Sequence, residues 1–346
     1  MDGEFCFAHL SDWHATTLKG GGGALWHGKR LSGFASWALS RHRYHDPAIL
    51  SAAIRDVHEQ VVDRVLVTGD LTHVSLEREF IAAAEQLSSL GPPDKVFLVP
   101  GNHDCYVPTD PAKSWDRWAS YLASDDFVGD AFVGDAAVGG AAMGDAVPSE
   151  LASALTPPAA NGRAPRHEDF PTIRVSGKLA MIGLCSAIPT PVFRAGGELG
   201  VTQLKRLEET LRVLGDRGFF RVVMIHHPVA AKGEPVRRAL RDSEALRGVL
   251  GRVGADLVLH GHKHRRRVNR VPGPNGEVPI IGVPSSSEIG SRPGKAAQYH
   301  LYRVRENLEG GDGEGDGAGR FKIDAEIRGY DRASGTFVRV EEDLFA

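Results

Sequence analysis

Eight polar side chains in this sequence have the chemical types and the positions needed to form a metal centre together. Each of them follows a short apolar stretch of the kind that forms a buried strand. They are Asp12, His14, Asp70, Asn102, His103, His226, His262 and His264. Carboxylate, imidazole and amide groups are donors that suit Mn, Fe or Zn, and the lack of cysteine among them argues against a structural zinc site. The sequence therefore predicts a catalytic metal site.

There are enough donors for two ions if one carboxylate bridges them. Asp70 is the natural bridge because it stands alone at its strand end. Two divalent cations roughly 3.5–4 Å apart can hold a hydroxide between them and stabilise the entering and leaving oxygens of a phosphoryl displacement. A histidine that is not a ligand can then protonate the leaving alkoxide, and His103 is placed for this role. We therefore expect two divalent or trivalent metal ions and phosphoester chemistry.

These side chains depend on the strands that precede them. The clearest strand is Val96–Val99, which ends at Pro100 and Gly101. Glycine permits a sharp turn at the carboxyl edge of a sheet, where open α/β folds keep their sites. Strands are also expected at 5–10, 65–68, 172–175, 179–184, 219–225, 255–259, 278–283, 299–304 and 321–328, and helices at 47–61, 75–90, 202–214 and 236–250. The order βαβαβ up to Val99 predicts a layered α/β core.

Residues 19–46, called the cap segment below, depart from this alternation. A glycine loop at 20–23 is followed by Leu31, Phe34 and Trp37 at spacings of three, with Lys29 and Arg30 before them and Arg41 and Arg43 after them. This spacing predicts an amphipathic helix. The helix either packs on the core with its charges in water, or caps the site and contacts a phosphate, an acyl-bearing substrate or a membrane surface.

Residues 107–171 form a second departure. The stretch Phe-Val-Gly-Asp-Ala occurs twice in succession from Phe127 to Ala136, and Ala/Gly/Pro-rich sequence follows. Such a composition has too few large apolar groups to pack tightly. We expect an excursion or lid within a single domain of residues 1–346, because the strand-end pattern resumes after it. A Gly/Asp/Glu stretch at 309–319 is expected to be a solvated hairpin tip.

The composition limits the class of protein. A net charge of −3 and a pI near 6.6 argue against nucleic acid as a partner. Three widely spaced cysteines suit a reducing compartment. No stretch approaches 18 apolar residues, so no transmembrane segment is expected. We expect a cytoplasmic protein, with peripheral contact at the inner membrane surface as an alternative. The oligomeric state stays open.

The motifs Asp-x-His, Gly-Asp, Gly-Asn-His-Asp, a strand-end His and Gly-His-x-His occur in this order between residues 5 and 268. Together they resemble the calcineurin-like metallophosphoesterase superfamily. The chain looks like the bacterial phosphodiesterase branch rather than the protein Ser/Thr phosphatases, which have Asp-Arg-Gly where this chain has Leu71-Thr72-His73. The resemblance implies an α/β fold, a four-layer α/β/β/α sandwich of two mixed sheets, with the Ala/Gly-rich excursion inserted.

The resemblance also implies a role for each residue. One ion would be bound by Asp12, His14, His264 and the bridging Asp70. The other would be bound by Asp70, Asn102, His226 and His262, where His226 is preferred to His227 because it directly follows the strand. In catalysis, His103 would polarise a phosphoryl oxygen or protonate the leaving group, and Asp104 would orient the turn or His103. Two residues, His73 and Arg265, are either contacts of the substrate phosphate or solvated side chains.

The expected function is hydrolysis of a phosphodiester or pyrophosphate bond by the bridging hydroxide. The aromatic and basic residues of the cap segment favour an amphiphilic small-molecule substrate such as a UDP-diacylglucosamine-type pyrophosphate. A cyclic nucleotide is the alternative substrate. A non-catalytic scaffold that has lost its ions is disfavoured, because the sequence retains every ligand that the resemblance requires.

Overall fold

A computed structural model of the chain describes residues 4–26, 28–125, 127–128, 131–132, 162–229, 234–290, 294–307, 320–340 and 344–345. Its strands are β1 (Glu4–Leu10), β2 (Arg64–Val67), β3 (Val96–Leu98), β4 (Phe127–Val128), β5 (Ala131–Phe132), β6 (Thr172–Ser176), β7 (Leu179–Gly183), β8 (Phe220–Met224), β9 (Leu257–His260), β10 (Arg267–Gly273), β11 (Gly276–Gly282), β12 (Gln298–Glu306), β13 (Phe321–Asp331) and β14 (Thr336–Val340). Its longer helices are α1 (Lys29–Leu39), α2 (Pro47–Glu59), α3 (Glu77–Leu90), Val201–Asp216 and Ser243–Val253. Shorter helical turns are found at Gly22–Trp26, Arg41–Arg43, Pro111–Lys113, Trp115–Trp118, Ala119–Leu122 and His167–Asp169.

The first six-stranded sheet has the order β14-β13-β12-β1-β2-β3. Its three N-terminal strands run parallel, with Leu10 beside Val67 and Val67 beside Leu98. β12 pairs antiparallel with β1, so the sheet is mixed. The parallel register brings the carboxyl ends of β1, β2 and β3 to one edge.

The second six-stranded sheet has the order β10-β11-β9-β8-β7-β6. Strands β7, β8, β9 and β11 run parallel, while the two outer strands are antiparallel to their neighbours. Met224 at the end of β8 lies beside Leu259 in β9. This sheet therefore also presents several carboxyl ends at a single edge.

Three apolar layers hold the sheets and helices together. Between the sheets, Phe7, Leu66 and Phe97 belong to one buried cluster with Met224 and Leu259. A second cluster joins the first sheet to α2 and α3, and a third joins the other sheet to Val201–Asp216 and Ser243–Val253. The arrangement is helix, sheet, sheet, helix, and it confirms the predicted fold of two mixed sheets.

Helix α2 illustrates how local sequence fixes an element. The Asp46 carboxylate accepts a hydrogen bond from the Ala48 N–H (2.8 Å), and Pro47 occupies the first turn, where it has no N–H to satisfy. Ile49, Ala53 and other apolar residues of its stripe are buried in the cluster against the first sheet. Pro47 in the first turn and the apolar stripe are both visible in the sequence.

The start of one predicted helix is wrong. The helix expected at 236–250 begins only at Ser243, because the residues before it form turns and Leu240 bridges to Gly197. Asp242 accepts hydrogen bonds from the backbone N–H groups of Leu199 and Gly200, which holds the turn in place. The sequence analysis also missed β10, which pairs with β11 along its whole length.

The structure describes only part of the cap segment and of the 107–171 excursion. In the cap segment, Trp37 packs in a small cluster with Leu18, Leu25, Val74 and Leu76. In the 107–171 excursion, Trp118 is buried and its indole N–H donates to the Phe80 carbonyl (3.0 Å). Residues 126, 129–130 and 133–161, with most of the repeat and the lid prediction, lie outside the described residues, as does the 309–319 stretch.

Candidate metal centre

The predicted ligands lie in loops at one shared edge of the two sheets. The Thr68 carbonyl oxygen accepts hydrogen bonds from the Ser11 hydroxyl (3.2 Å) and from His226 Nδ1 (2.6 Å), so it joins β1, β2 and the second sheet. The loops approach so closely that glycine is required, since a Cβ at Gly101 would stand 2.2 Å from Asp70 Oδ1. The strand ends of both sheets therefore meet at one buried point.

The backbone is strained at five of the seven predicted ligands. Their φ angles lie between 41° and 67°, in the left-handed region that non-glycine residues rarely adopt. These residues are Asp12, His14, Asp70, His262 and His264. Each such conformation costs about 1 kcal/mol, and such residues cluster at functional sites. The surrounding hydrogen bonds hold the strain in place.

The first group of donors, called site A, consists of Asp12, His14 and His264. One donor atom from each lies within 4.8 Å of the other two. His264 Nε2 is 3.3 Å from Asp12 Oδ1, and His14 Nε2 is 3.7 Å from Asp70 Oδ2. Site A is therefore compact and adjoins the carboxylate that was predicted to bridge.

The second group, called site B, consists of Asp70, Asn102, His226 and His262. Asn102 Oδ1 lies 2.8 Å from His262 Nδ1 and 3.1 Å from His226 Nε2. Asp70 Oδ2 is 3.3 Å from His226 Nε2. The same carboxylate oxygen thus faces one imidazole from each site, which is the position that a bridging ligand needs.

Hydrogen bonds on the outer side orient the imidazoles. His14 Nδ1 donates to the Thr72 carbonyl (2.7 Å), as His226 Nδ1 does to that of Thr68 (2.6 Å). Each Nε2 is then the nitrogen directed toward the carboxylates, the arrangement found in metal-binding histidines. His227 is turned away, because its ring nitrogens lie near the Ser186 hydroxyl (2.8 Å) and the Ala195 carbonyl (3.1 Å).

The hydrogen bonding and the electrostatics of the donors also indicate that they are suited to binding cations. Asp12 Oδ1 is buried and accepts no hydrogen bond within the described residues, which is costly for a carboxylate oxygen unless a cation satisfies it. Burial alone would raise the pKa of Asp12, but the nearby His264 and His226 imidazoles hold it at about 2. Two carboxylates, one amide and four imidazoles form the kind of mixed oxygen and nitrogen site that Mn, Fe or Zn binds.

The histidines fall into two electrostatic groups. Burial and neighbouring imidazoles lower the pKa values of His14 and His262 well below the ordinary value, so both rings are neutral and keep free lone pairs. Burial also disfavours charge on His226, but Asp70 outweighs it and raises its pKa to about 9. His264 is shifted upward by Asp12 in the same way. The carboxylates thus attract positive charge into both sites.

A family model for calcineurin-like phosphoesterases matches residues 7–266, about three quarters of the sequence. The chain belongs to the calcineurin-like phosphoesterase family. The match spans the predicted metal ligands, from Asp12 to His264, and confirms the resemblance drawn from the five motifs.

Two solved structures illustrate the relationship. The chain is similar to a dimetal phosphatase from Danio rerio, with 15% identity and a TM-score of 0.54 over 88% of this chain and 95% of that one. It is also similar to a purple acid phosphatase from yellow lupin (Lupinus luteus) seeds, with 13% identity and a TM-score of 0.50 over 100% of this chain and 56% of the longer lupin chain. At these identities the likeness concerns the fold. No curated protein matches the sequence significantly.

In this calcineurin-like phosphoesterase, His103 lies directly beside site A. Its ring centroid is 4.9 Å from that of His14, and its backbone N–H donates to Asp70 Oδ1 (2.7 Å). His103 Nδ1 donates to the His73 carbonyl (2.5 Å), which leaves Nε2 as the nitrogen available for proton transfer. The geometry suits the role expected of His103.

Asp104 is a structural carboxylate in the turn rather than a group that faces the donors. It is fully buried and accepts five hydrogen bonds, four of them from backbone N–H groups. These come from Asp70, Leu71, Thr72 and Gly101, and the fifth comes from the Thr72 hydroxyl. Asp104 thereby holds the loop that carries Asp70 against the loop that carries His103.

The two candidate substrate contacts lie in different settings. His73 is 2% exposed, its ring stacks on that of His14 at 5.3 Å, and its Nε2 lies 3.2 Å from the Thr16 carbonyl. The His73 ring thus packs directly against that of a site A ligand and is as buried as the donors themselves. Arg265 is exposed to solvent.

Two residues near the donors were missed in the sequence analysis. Glu288 is fully buried and its Oε2 lies 3.4 Å from His264 Nδ1, so it orients that ring. The sequence did contain an indication of this residue, because Glu288 follows β11, whose carboxyl end lies at the same edge of the sheet as that of β9. The second is His45 of the cap segment, whose ring lies 5.0 Å from that of His14 and 5.3 Å from that of His264. It is surrounded by polar residues in the sequence and gave no signal.

Among the described helices, none combines the length and the apolar character that crossing a bilayer requires.

Proposed function

We propose that this calcineurin-like phosphoesterase hydrolyses a phosphodiester or pyrophosphate bond with two metal ions in sites A and B. The observation that carries the proposal is the convergence of eight predicted side chains, from five separate loops, on one buried cluster. Membership of the family supports the same reaction class.

In this proposal, each site holds one Mn, Fe or Zn ion, and Asp70 contributes to both. The ions would supply an activated water as nucleophile and the positive charge that stabilises the phosphoryl group in the transition state. Asp12 and Asp70 would offset the charge of the cations, and the outward hydrogen bonds of His14 and His226 keep their Nε2 atoms aimed at the sites.

His103 is proposed to protonate the leaving oxygen from Nε2. The Nδ1 hydrogen bond to the His73 carbonyl fixes the ring, and the backbone bond to Asp70 fixes the loop. Proton donation by such a positioned imidazole contributes about 10²- to 10⁴-fold to a rate. The effect is largest for an alkoxide, which is a poor leaving group unless it is protonated.

The cap segment supports an amphiphilic substrate, of which a UDP-diacylglucosamine-type pyrophosphate is the model. Trp26 and Leu39 are 62% and 77% exposed on this segment. Phe193 is 82% exposed in the loop whose Thr190 accepts a hydrogen bond from the cap segment. Apolar side chains exposed on the segment that carries His45 beside site A would be suited to binding acyl chains.

The metal assignment is tested with Asn102→Ala. We expect the variant to keep its circular dichroism spectrum and to lose at least about 10³-fold in turnover of bis(p-nitrophenyl) phosphate, because site B loses its amide oxygen. Asn269→Ala, in β10, is the matched control and should behave as the wild type. Unchanged turnover in Asn102→Ala would contradict the assignment.

The substrate class is tested by a screen of the metal-loaded protein. Bis(p-nitrophenyl) phosphate and p-nitrophenyl phosphate compare a diester with a monoester, and a cyclic nucleotide, a glycerophosphodiester and a UDP-linked lipid compare physiological types. We expect the diester to be hydrolysed faster than the monoester. A clear preference for the monoester would overturn the phosphodiesterase part of the proposal and leave the metal centre intact.

A further inference from the structure

Lys29 is a buried cation whose N–H donors are only partly satisfied by hydrogen bonds among the described residues. It lies at the start of α1 in the cap segment and is 9% exposed. Its ammonium group has three N–H donors, and within the described residues one hydrogen bond is found for them, to the Thr190 hydroxyl (2.7 Å). In the same part of the chain no carboxylate lies within ion-pair distance of it. The Asp70 carboxylate favours the Lys29 charge only from beyond that distance. A buried charge without a close counter-ion is costly, so this position would be stabilised by an anion.

Lys29 is also close to the proposed proton donor. Its Nζ lies 4.1 Å from the centroid of the Tyr106 ring. The Tyr106 ring in turn stacks on that of His103, at 5.5 Å between centroids and 11° between planes. A single aromatic ring, that of Tyr106, therefore contacts both the ammonium group and the imidazole.

Thr190 fixes the direction of the ammonium group. Its hydroxyl donates to the Arg194 carbonyl (2.7 Å), so it can only accept from Lys29. Thr190 lies in the loop after β7, at the same edge of the second sheet as His226. The hydrogen bond therefore links the cap segment to a ligand-bearing edge, and two N–H groups remain for a bound molecule.

We propose that Lys29 is a substrate-binding residue, which pairs with a phosphate oxygen of the substrate held beside His103. The inference rests on the proposed function, because it places the scissile phosphate at sites A and B. It adds a contact from the cap segment, outside the family motifs that the sequence analysis identified. The missing counter-charge of Lys29 is then supplied by the substrate and later by the phosphate product.

The test measures binding of inorganic phosphate to the metal-loaded protein by titration calorimetry, together with kcat and KM for bis(p-nitrophenyl) phosphate. Lys29→Met keeps the length of the side chain and removes the charge. We expect about 10- to 100-fold weaker phosphate binding and a similar rise in KM, as for the loss of one charged hydrogen bond, with unchanged metal content. Lys29→Arg should recover part of the loss.

Two further variants separate binding from structure. Lys19→Met removes an exposed lysine of the same segment and should leave phosphate affinity unchanged. Thr190→Val removes the positioning hydroxyl and should weaken phosphate binding less than Lys29→Met does.

The inference is overturned if Lys29→Met lowers the melting temperature but leaves phosphate affinity and KM within twofold of the wild type. Lys29 would then be a structural cation held by Tyr106. A wild-type protein without metal-dependent turnover or phosphate binding would instead refute the proposed function, and the inference with it.

Discussion

The ligand loops (residues 11–14, 68–72, 100–104, 226–227 and 260–264) and the cap segment contribute to the same centre in opposite ways. The ligand loops are almost wholly buried, their backbones are strained, and side chains such as Asp104 bind their N–H groups. The cap segment is built of short helices, packs through a small cluster around Trp37, and leaves Trp26 and Leu39 in solvent. Burial and backbone hydrogen bonding are therefore most extensive where cations would bind.

This difference suggests that the ligand loops carry out the reaction and that the cap segment determines which substrates bind. A reacting group must be held within a fraction of an ångström, which the interlocked strand ends achieve. A segment with exposed apolar side chains and a buried lysine can vary without altering that geometry. We therefore expect substitutions in the ligand loops to affect all substrates, and substitutions in the cap segment to affect them unequally.

The largest effect is expected for Asp70→Ala, which removes the carboxylate shared by both sites. We expect the rate to fall by at least about 10⁴-fold for every phosphoester, and the bound metal, measured by plasma mass spectrometry, to fall below two ions per chain. Asp94→Ala, an exposed aspartate before β3, is the control. A variant that keeps two ions and its activity would show that the two sites do not share this ligand.

The next effect is expected for His103→Ala and depends on the leaving group. For an alkyl phosphodiester we expect a loss of about 10³-fold in kcat, because the alkoxide is no longer protonated. For the p-nitrophenyl ester, whose leaving group is stable as an anion, the loss should be much smaller. Equal losses on the two esters would rule out proton donation and favour a role for His103 in holding the phosphoryl oxygen.

A smaller effect is expected for Glu288→Gln, because this residue acts through His264. Outer residues that orient a metal ligand are typically worth about 10- to 100-fold in metal affinity. Competition with a chelator would measure the change, and activity should return when excess metal is added. Activity that stays low at saturating metal would contradict a purely orienting role.

The smallest effect is expected in the cap segment, for Trp26→Ser combined with Leu39→Ser. Turnover of bis(p-nitrophenyl) phosphate should change by less than about twofold, while KM for a UDP-linked lipid should rise by about tenfold, since the two partial apolar contacts together are worth about 1.4 kcal/mol. Val61→Ser, an exposed valine after α2, is the control. A parallel change on both substrates would place the acyl chains elsewhere.

The comparison also explains which features the sequence could predict. The ligands were predictable because each follows an apolar run, and because parallel strands such as β1 and β2 bring their ends together. Glu288 was missed because the run before it, Pro284 to Ser287, reads as an ordinary polar loop. The position of the cap segment was not predictable, since Leu31, Phe34 and Trp37 would show the same spacing on any half-buried helix.

Buried polar residues also show what could not be predicted from the sequence. The sequence left open whether Asp104 orients the turn or His103, because only the loop geometry turns its carboxylate toward backbone N–H groups. For His73, only the packing of its ring on that of His14 shows that it lies directly beside the donors. Residue type indicates chemistry, but orientation comes from contacts that are distant in sequence.

The hydrogen bonds that Thr68 accepts from both sides of the molecule have a wider consequence. Each site takes ligands from both sheets, so the gap between the sheets sets the distance across which the donors face each other. That gap is filled by side chains such as Leu66 and Met224. The apolar side chains between the sheets therefore set the spacing of the donors in sites A and B. A change of one methylene group in this layer would alter the rate of the reaction although no polar residue is changed.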